Sequence, residues 1–110
     1  PTGGIGPTGL LGSTNTTGPT QSSAAAAPNG TMVTATASCP AGRILLGGGG
    51  TVVTSNGTNN GKVAIQQSYP SAATTWTVVG VVTHDQGGGS LQNIGAGVTM
   101  DVTAYVICSG

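Results

Sequence analysis

Val98-Thr99-Met100-Asp101-Val102-Thr103-Ala104-Tyr105-Val106-Ile107-Cys108 is the stretch whose period decides the fold. Val98, Met100, Val102, Ala104, Val106 and Cys108 share one parity, and Thr99, Asp101, Thr103, Tyr105 and Ile107 share the other. Successive side chains of an extended backbone point to opposite sides, so this alternation describes a β-strand with one buried face. The same period recurs upstream. Val33, Ala35 and Ala37 alternate with Thr34, Thr36 and Ser38, and Cys39 falls on the apolar parity. Val63, Ile65, Gln67 and Tyr69 share one face of another strand, which Pro70 is expected to end.

Residues 74–83 place Trp76, Val78, Gly80 and Val82 on one side, and Val79 and Val81 on the other. Valines on both faces predict a central strand, or one covered by a neighbouring subunit. Cys39-Pro40-Ala41-Gly42 reads as a turn and 43–46 as a short apolar strand. Gly47, Gly48, Gly49 and Gly50 mark a bulge, a tight bend or close backbone contact with another chain. Residues 51–54 resume a strand, and Asn56-Gly57 through Asn60-Gly61 reads as a polar hairpin loop. A glycine-rich loop is expected over 84–90 and an irregular strand over 91–96. With several short strands and no helical period, the reading is all-β: a compact antiparallel β-sandwich, jelly-roll-like.

The beginning of the chain follows a different rule. Gly3, Gly6, Gly9, Gly12 and, after a lapse at Asn15, Gly18 stand three apart, with Pro7 and Pro19 interspersed. A collagen-like triple helix requires that period, because its axis has no room for a β-carbon. The reading is then a homotrimer, with residues 1–21 the remnant of a stalk, 22–30 a neck and 31–110 a β-structured trimeric head. A Gly/Thr/Pro-rich disordered linker is the alternative for the first segment. A chain opening on Pro1 in mid-repeat is expected to be the C-terminal piece of a longer protein, with any signal peptide upstream.

Composition excludes several classes. Charged residues make up 4% of the 110, against about a quarter in ordinary domains, and the net charge is zero. The basic footprint of a nucleic-acid binder is absent. No run of apolar residues is long enough for a membrane-spanning helix, so no membrane insertion is expected. With no Phe and one Trp, a head of this size has a small core and calls for a staple or a subunit interface. Cys39 and Cys108 lie near its two ends; a bond between them would contribute about 4 kcal/mol in the chain-entropy model and imply an oxidising compartment. Two buried free thiols are the alternative. A metal site is disfavoured, because two cysteines and one histidine do not complete a tetrahedral shell.

Catalysis finds little material. Arg43, Lys62, His84, Asp85 and Asp101 are the whole titratable stock outside Cys and Tyr, and no serine lies in a nucleophile motif. No enzyme activity and no cofactor are expected. The glycine runs lack the Lys-Ser/Thr of a phosphate loop. Recognition of a ligand is better supplied. Tyr69, Trp76 and Tyr105 are the only aromatics, and flat rings beside amides suit sugars. Trp76 shares a core parity, while Tyr105 faces away from the cysteines as an interface or surface residue. Asn56, Thr58, Asn59 and Asn60 in one loop, and His84, Asp85 and Gln86 in another, complete the candidate ligand contacts. Three His84 side chains near a threefold axis could hold a metal or an anion; a solvent-exposed loop histidine is the alternative. Asn15, Asn29 and Asn56 begin N-x-T triplets, relevant only on a glycosylating secretory route.

Ser38-Cys39-Pro40-Ala41-Gly42-Arg43, Leu45-Leu46-Gly47-Gly48-Gly49, Ser68-Tyr69-Pro70, Thr75-Trp76-Thr77 and Val102-Thr103-Ala104-Tyr105-Val106-Ile107-Cys108 carry, in that order, a resemblance. The chain resembles, over residues 38–108, a small domain at the C-terminus of bacterial and phage collagen-like fibre proteins. The resemblance implies an exported, trimeric tip of a cell-surface or phage tail fibre, with Cys39 and Cys108 paired. It transfers no binding residues. Function is expected to be that of a non-enzymatic adhesin tip that recognises a cell-surface glycan or envelope component. The alternative is a structural trimerisation cap that registers the stalk and has no ligand of its own; a glycan-cleaving tip is disfavoured by the few carboxylates.

Overall fold

A computed structural model describes residues 12–83, 85–86, 90–91 and 94–109. The in-phase glycines at 3, 6 and 9, with His84 and Gly87 to Gly89, lie outside them. The strands are β1 (Ser13–Thr17), β2 (Gln21–Ser22), β3 (Met32–Ser38), β4 (Leu45–Thr54), β5 (Val63–Ala72), β6 (Thr75–Val82), β7 (Asp85–Gln86), β8 (Ser90–Leu91) and β9 (Met100–Ser109). A 3-10 helix, Gly57–Lys62, joins β4 to β5. All pairings are antiparallel.

Strand β9 is the spine of the first sheet. It pairs with β4 on one side, and on the other with β1 and then β2, laid end to end. The second sheet runs β3-β6-β5. The even parity of β9 faces it, and Met100, Val102, Ala104, Val106 and Cys108 are wholly buried. Opposite them stand Val78 and Val82 of β6 and Ala35 and Ala37 of β3. The fold is thus an all-β sandwich, as the alternation predicts. Strand β6 is central in its sheet, and Val78 and Val79, on opposite faces, are both buried.

Cys39 and Cys108 are disulfide-bonded, with Cα atoms 5.8 Å apart. The bond joins the end of β3 in one sheet to β9 in the other, so it staples the two layers.

Three sequence expectations need correction. Of the segment assigned to the stalk, residues 13–17 and 21 lie in the first sheet, where Ser13 pairs with Ser109 and Gln21 with Val102. The edge is also held between and beyond these strands: the N–H groups of Gly18, Ser23 and Ala26 donate to the carbonyls of Ala104, Met100 and Val98. The unpaired edge of β9 needs a partner, and Thr and Asn residues supply it. Gly18 accordingly has a local reason to be glycine: a β-carbon there would stand 2.1 Å from the Thr36 carbonyl oxygen. The neck 22–30 likewise joins the fold through buried Ala27.

The second correction concerns 56–61. Those residues do not join hydrogen-bonded neighbours as a hairpin; the 3-10 helix carries the chain from one sheet to the other. The third concerns Pro70, which does not end β5. Strand β5 is an edge strand, where a missing N–H costs little, and pairing resumes at Ala72 after an irregularity.

The glycine run lies inside β4, just past a bulge between Leu45 and Gly47. A β-carbon on Gly48 would meet the Trp76 ring at 2.5 Å, and one on Gly50 would meet Val78 at 2.6 Å. Gly80 of β6 is matched to Val102 and Val52 in the same way. The close contacts expected of these glycines are therefore made within the chain, where they let the two layers approach.

Candidate functional site

The candidate residues fall into separate places. Tyr69 lies on β5, a strand exposed from Ala64 to its end. Its side chain is 43% exposed, and with Gln67 and Ser68 it lines an open depression of about 460 Å³. Gln67 shares the parity of Tyr69, so an amide stands beside the ring along the strand. Ser68 is held from below: the Trp76 indole N–H donates to its Oγ at 2.9 Å. A half-exposed ring, an amide and an anchored hydroxyl are thereby gathered on one strand.

Trp76 itself is not a surface platform. Its ring is half-buried, packs on the core and lies over Gly48. Tyr105 is on the outer face of the other sheet, its ring against Gly49. The three aromatics are thus not brought together.

The asparagine cluster serves the 3-10 helix. Asn60 Oδ1 accepts from the Thr54 backbone N–H at 2.7 Å and from Thr54 Oγ1 at 2.8 Å, and Thr54 Oγ1 also contacts the Asn56 carbonyl. Asn59 is buried at 8% exposure, beside Gly95. Asn60 therefore holds the end of β4 to the crossover and Asn59 is buried beside Gly95, while Asn56 is exposed. For Thr58, Asp85 and Gln86 only the backbone is described, the latter two as β7 paired to β8.

Among the described residues, no three His, Cys, Asp or Glu side chains group as a metal site. Asp101 accepts from Ser22 Oγ at 2.8 Å and Thr99 Oγ1 at 2.9 Å, which ties it to the sheet edge. No helix among the described residues is long and apolar enough to cross a membrane.

Sequence reasoning missed Gln67 and Ser68. The signal was present: Gln67 is two residues from Tyr69 and so on its face of the strand. No family model, curated protein or solved structure matches the chain.

Proposed function

We propose that this chain is a non-enzymatic binding head, the tip of a trimeric collagen-like fibre outside the cell or on a phage, and that β5 contacts a glycan. The observation that carries this reading is the half-exposed Tyr69 ring, with Gln67 on the same face of the strand and Ser68 between them in sequence, lining an open depression. Sugars are recognised by stacking of their C–H faces on a ring while hydroxyls pair with amides and hydroxyls. The Trp76 bond orients Ser68 before any ligand arrives, which limits the ordering cost of binding. A shallow site of this kind is weak alone; three copies on one fibre supply avidity. A disulfide in so small a fold suits an oxidising, extracytoplasmic location.

A glycan array probed with the 110-residue chain tests this. Binding by the wild type that is lost in Tyr69→Ala and weakened in Gln67→Ala, with melting unchanged, supports the reading; retention in both variants overturns it.

The second reading is a trimerisation cap without a ligand. Exposed Ile44 and Leu46, near the residue at which the glycine period runs into β1, favour it. A head that binds no glycan or cell surface, and whose removal leaves the collagen-like segment unwound by circular dichroism, supports the cap over the adhesin.

A further inference from the structure

Ile44 and Leu46 are the most exposed large apolar side chains among the described residues, at 67% and 60%. Leu46 is the extra residue of the β4 bulge, between Leu45, which pairs with Cys108, and Gly47, which pairs with Ile107. Beside them the surface is open: nothing lies within 4 Å of where a Gly47 β-carbon would stand. Two exposed apolar side chains thus precede a bare stretch of backbone at Gly47, on which a side chain from outside could lie.

The position of this patch indicates what covers it. The Ile44 N–H donates to Ser109 Oγ at 2.9 Å, and the Ser109 N–H donates to the Ile44 carbonyl at 2.9 Å. Ser109 pairs in turn with Ser13, the first residue of β1. Gly12, the fourth glycine in phase with 3, 6 and 9, immediately precedes it. The end of the glycine period and the exposed pair are therefore at the same end of one sheet, connected through two strand registers. Three chains wound with glycine at a shared axis bring three copies of that end together.

From this we infer that Ile44 and Leu46, with Gly47 and Ile107 beside them, form the contact between copies of this chain at the stalk end of the head. The occupant is a second copy of the same surface region. The inference rests on the trimeric fibre reading above and adds to it the face that is buried. Arg43, the charged residue next to the patch, is turned to its own chain, with Nη1 on the Ser109 carbonyl at 3.2 Å. A patch of this size is well below the roughly 800 Å² per partner of a stable interface, so the stalk must supply much of the effective concentration.

Photo-crosslinking of the 110-residue chain tests the contact. An Ile44→benzoylphenylalanine variant is expected to give covalent dimers and trimers on irradiation, and a Tyr69→benzoylphenylalanine variant, in the other sheet, to give none. No crosslink from position 44 in a chain that sediments as a trimer, or equal crosslinking from 69, overturns the interface and leaves the fibre reading standing. A folded monomer in the ultracentrifuge overturns both. Leu46→Asp is an independent arm: self-association should fall at least about tenfold with the far-ultraviolet spectrum unchanged. An unchanged association constant overturns the inference, and if this variant does not fold the crosslinking result decides.

Discussion

The Tyr105 ring covers Gly49, its cross-strand partner on the outer face of the β4–β9 pair; a β-carbon on Gly49 would stand 2.6 Å from the tyrosine Oη. An aromatic laid over a strand glycine shields backbone that would otherwise be bare. The obstacle there is the far end of a side chain that can swing aside. At Gly50 the obstacles are Val78 and the Thr103 carbonyl oxygen, 2.7 Å away, and neither can retreat. Gly49→Ala should therefore cost about 1 kcal/mol or less, and Gly50→Ala about 3 kcal/mol or more. Urea unfolding of both variants checks the order; equal costs would contradict it.

Gly80 and Val102 meet across the sandwich, where an added methyl would lie 2.6 Å from a valine Cγ2. Gly80→Ala alone should destabilise by about 1–3 kcal/mol. Val102→Ala removes the obstructing methyls but opens a cavity when made alone. The double variant should cost less than the two singles added, by at least about 0.5 kcal/mol. Strict additivity in a double-mutant cycle would show that the two residues do not share this space.

The Cys39–Cys108 bond closes a loop with a sequence separation of 69. Replacing both cysteines by alanine should cost about 4 kcal/mol, much of the stability of a domain this small. Denaturant melts of the double variant, and of the wild type with and without reductant, measure it. A loss below about 1 kcal/mol would mean that the layers hold without the staple.

Residues 13–26 cover the edge of β9, so the boundary at which the head is cut matters. A chain starting at residue 12 should fold with full sheet protection in hydrogen exchange. A chain starting at 31 should expose the β9 amides along that edge and aggregate, because an unpaired strand edge invites other strands. Equal stability of the two truncations would place 13–26 outside the cooperative unit.

Asn60 and Tyr69 should separate stability from binding. Asn60→Ala removes the acceptor for the Thr54 N–H and hydroxyl and should cost about 1–3 kcal/mol. Glycan binding by the folded fraction should be retained. Tyr69→Ala should do the reverse, since its side chain is half-exposed on an edge strand. Paired calorimetry and array binding check both; loss of binding in Asn60→Ala without loss of stability would return the crossover asparagines to the ligand site.

What the chain wrote locally was legible, and what depended on partners was not. The alternation from Val98 to Cys108 sets which side chains β9 buries, because the pleat leaves no other choice; likewise the valines of β6 mark a central strand. Nothing in that alternation says which strands become neighbours. Residues 13–21 look like a continuing stalk until β9 is seen to lack any other partner on that edge. The asparagines of 56–60 look like ligand-binding loop residues until Thr54 is seen to take the Asn60 amide oxygen. Gly47 to Gly50 read as punctuation, yet Trp76, Tyr105 and Val78, all distant in sequence, are what three of those four glycines pack against. Strand period is a property of a backbone with its own side chains. Space between layers, and the edge a strand leaves unpaired, exist only once remote segments have met.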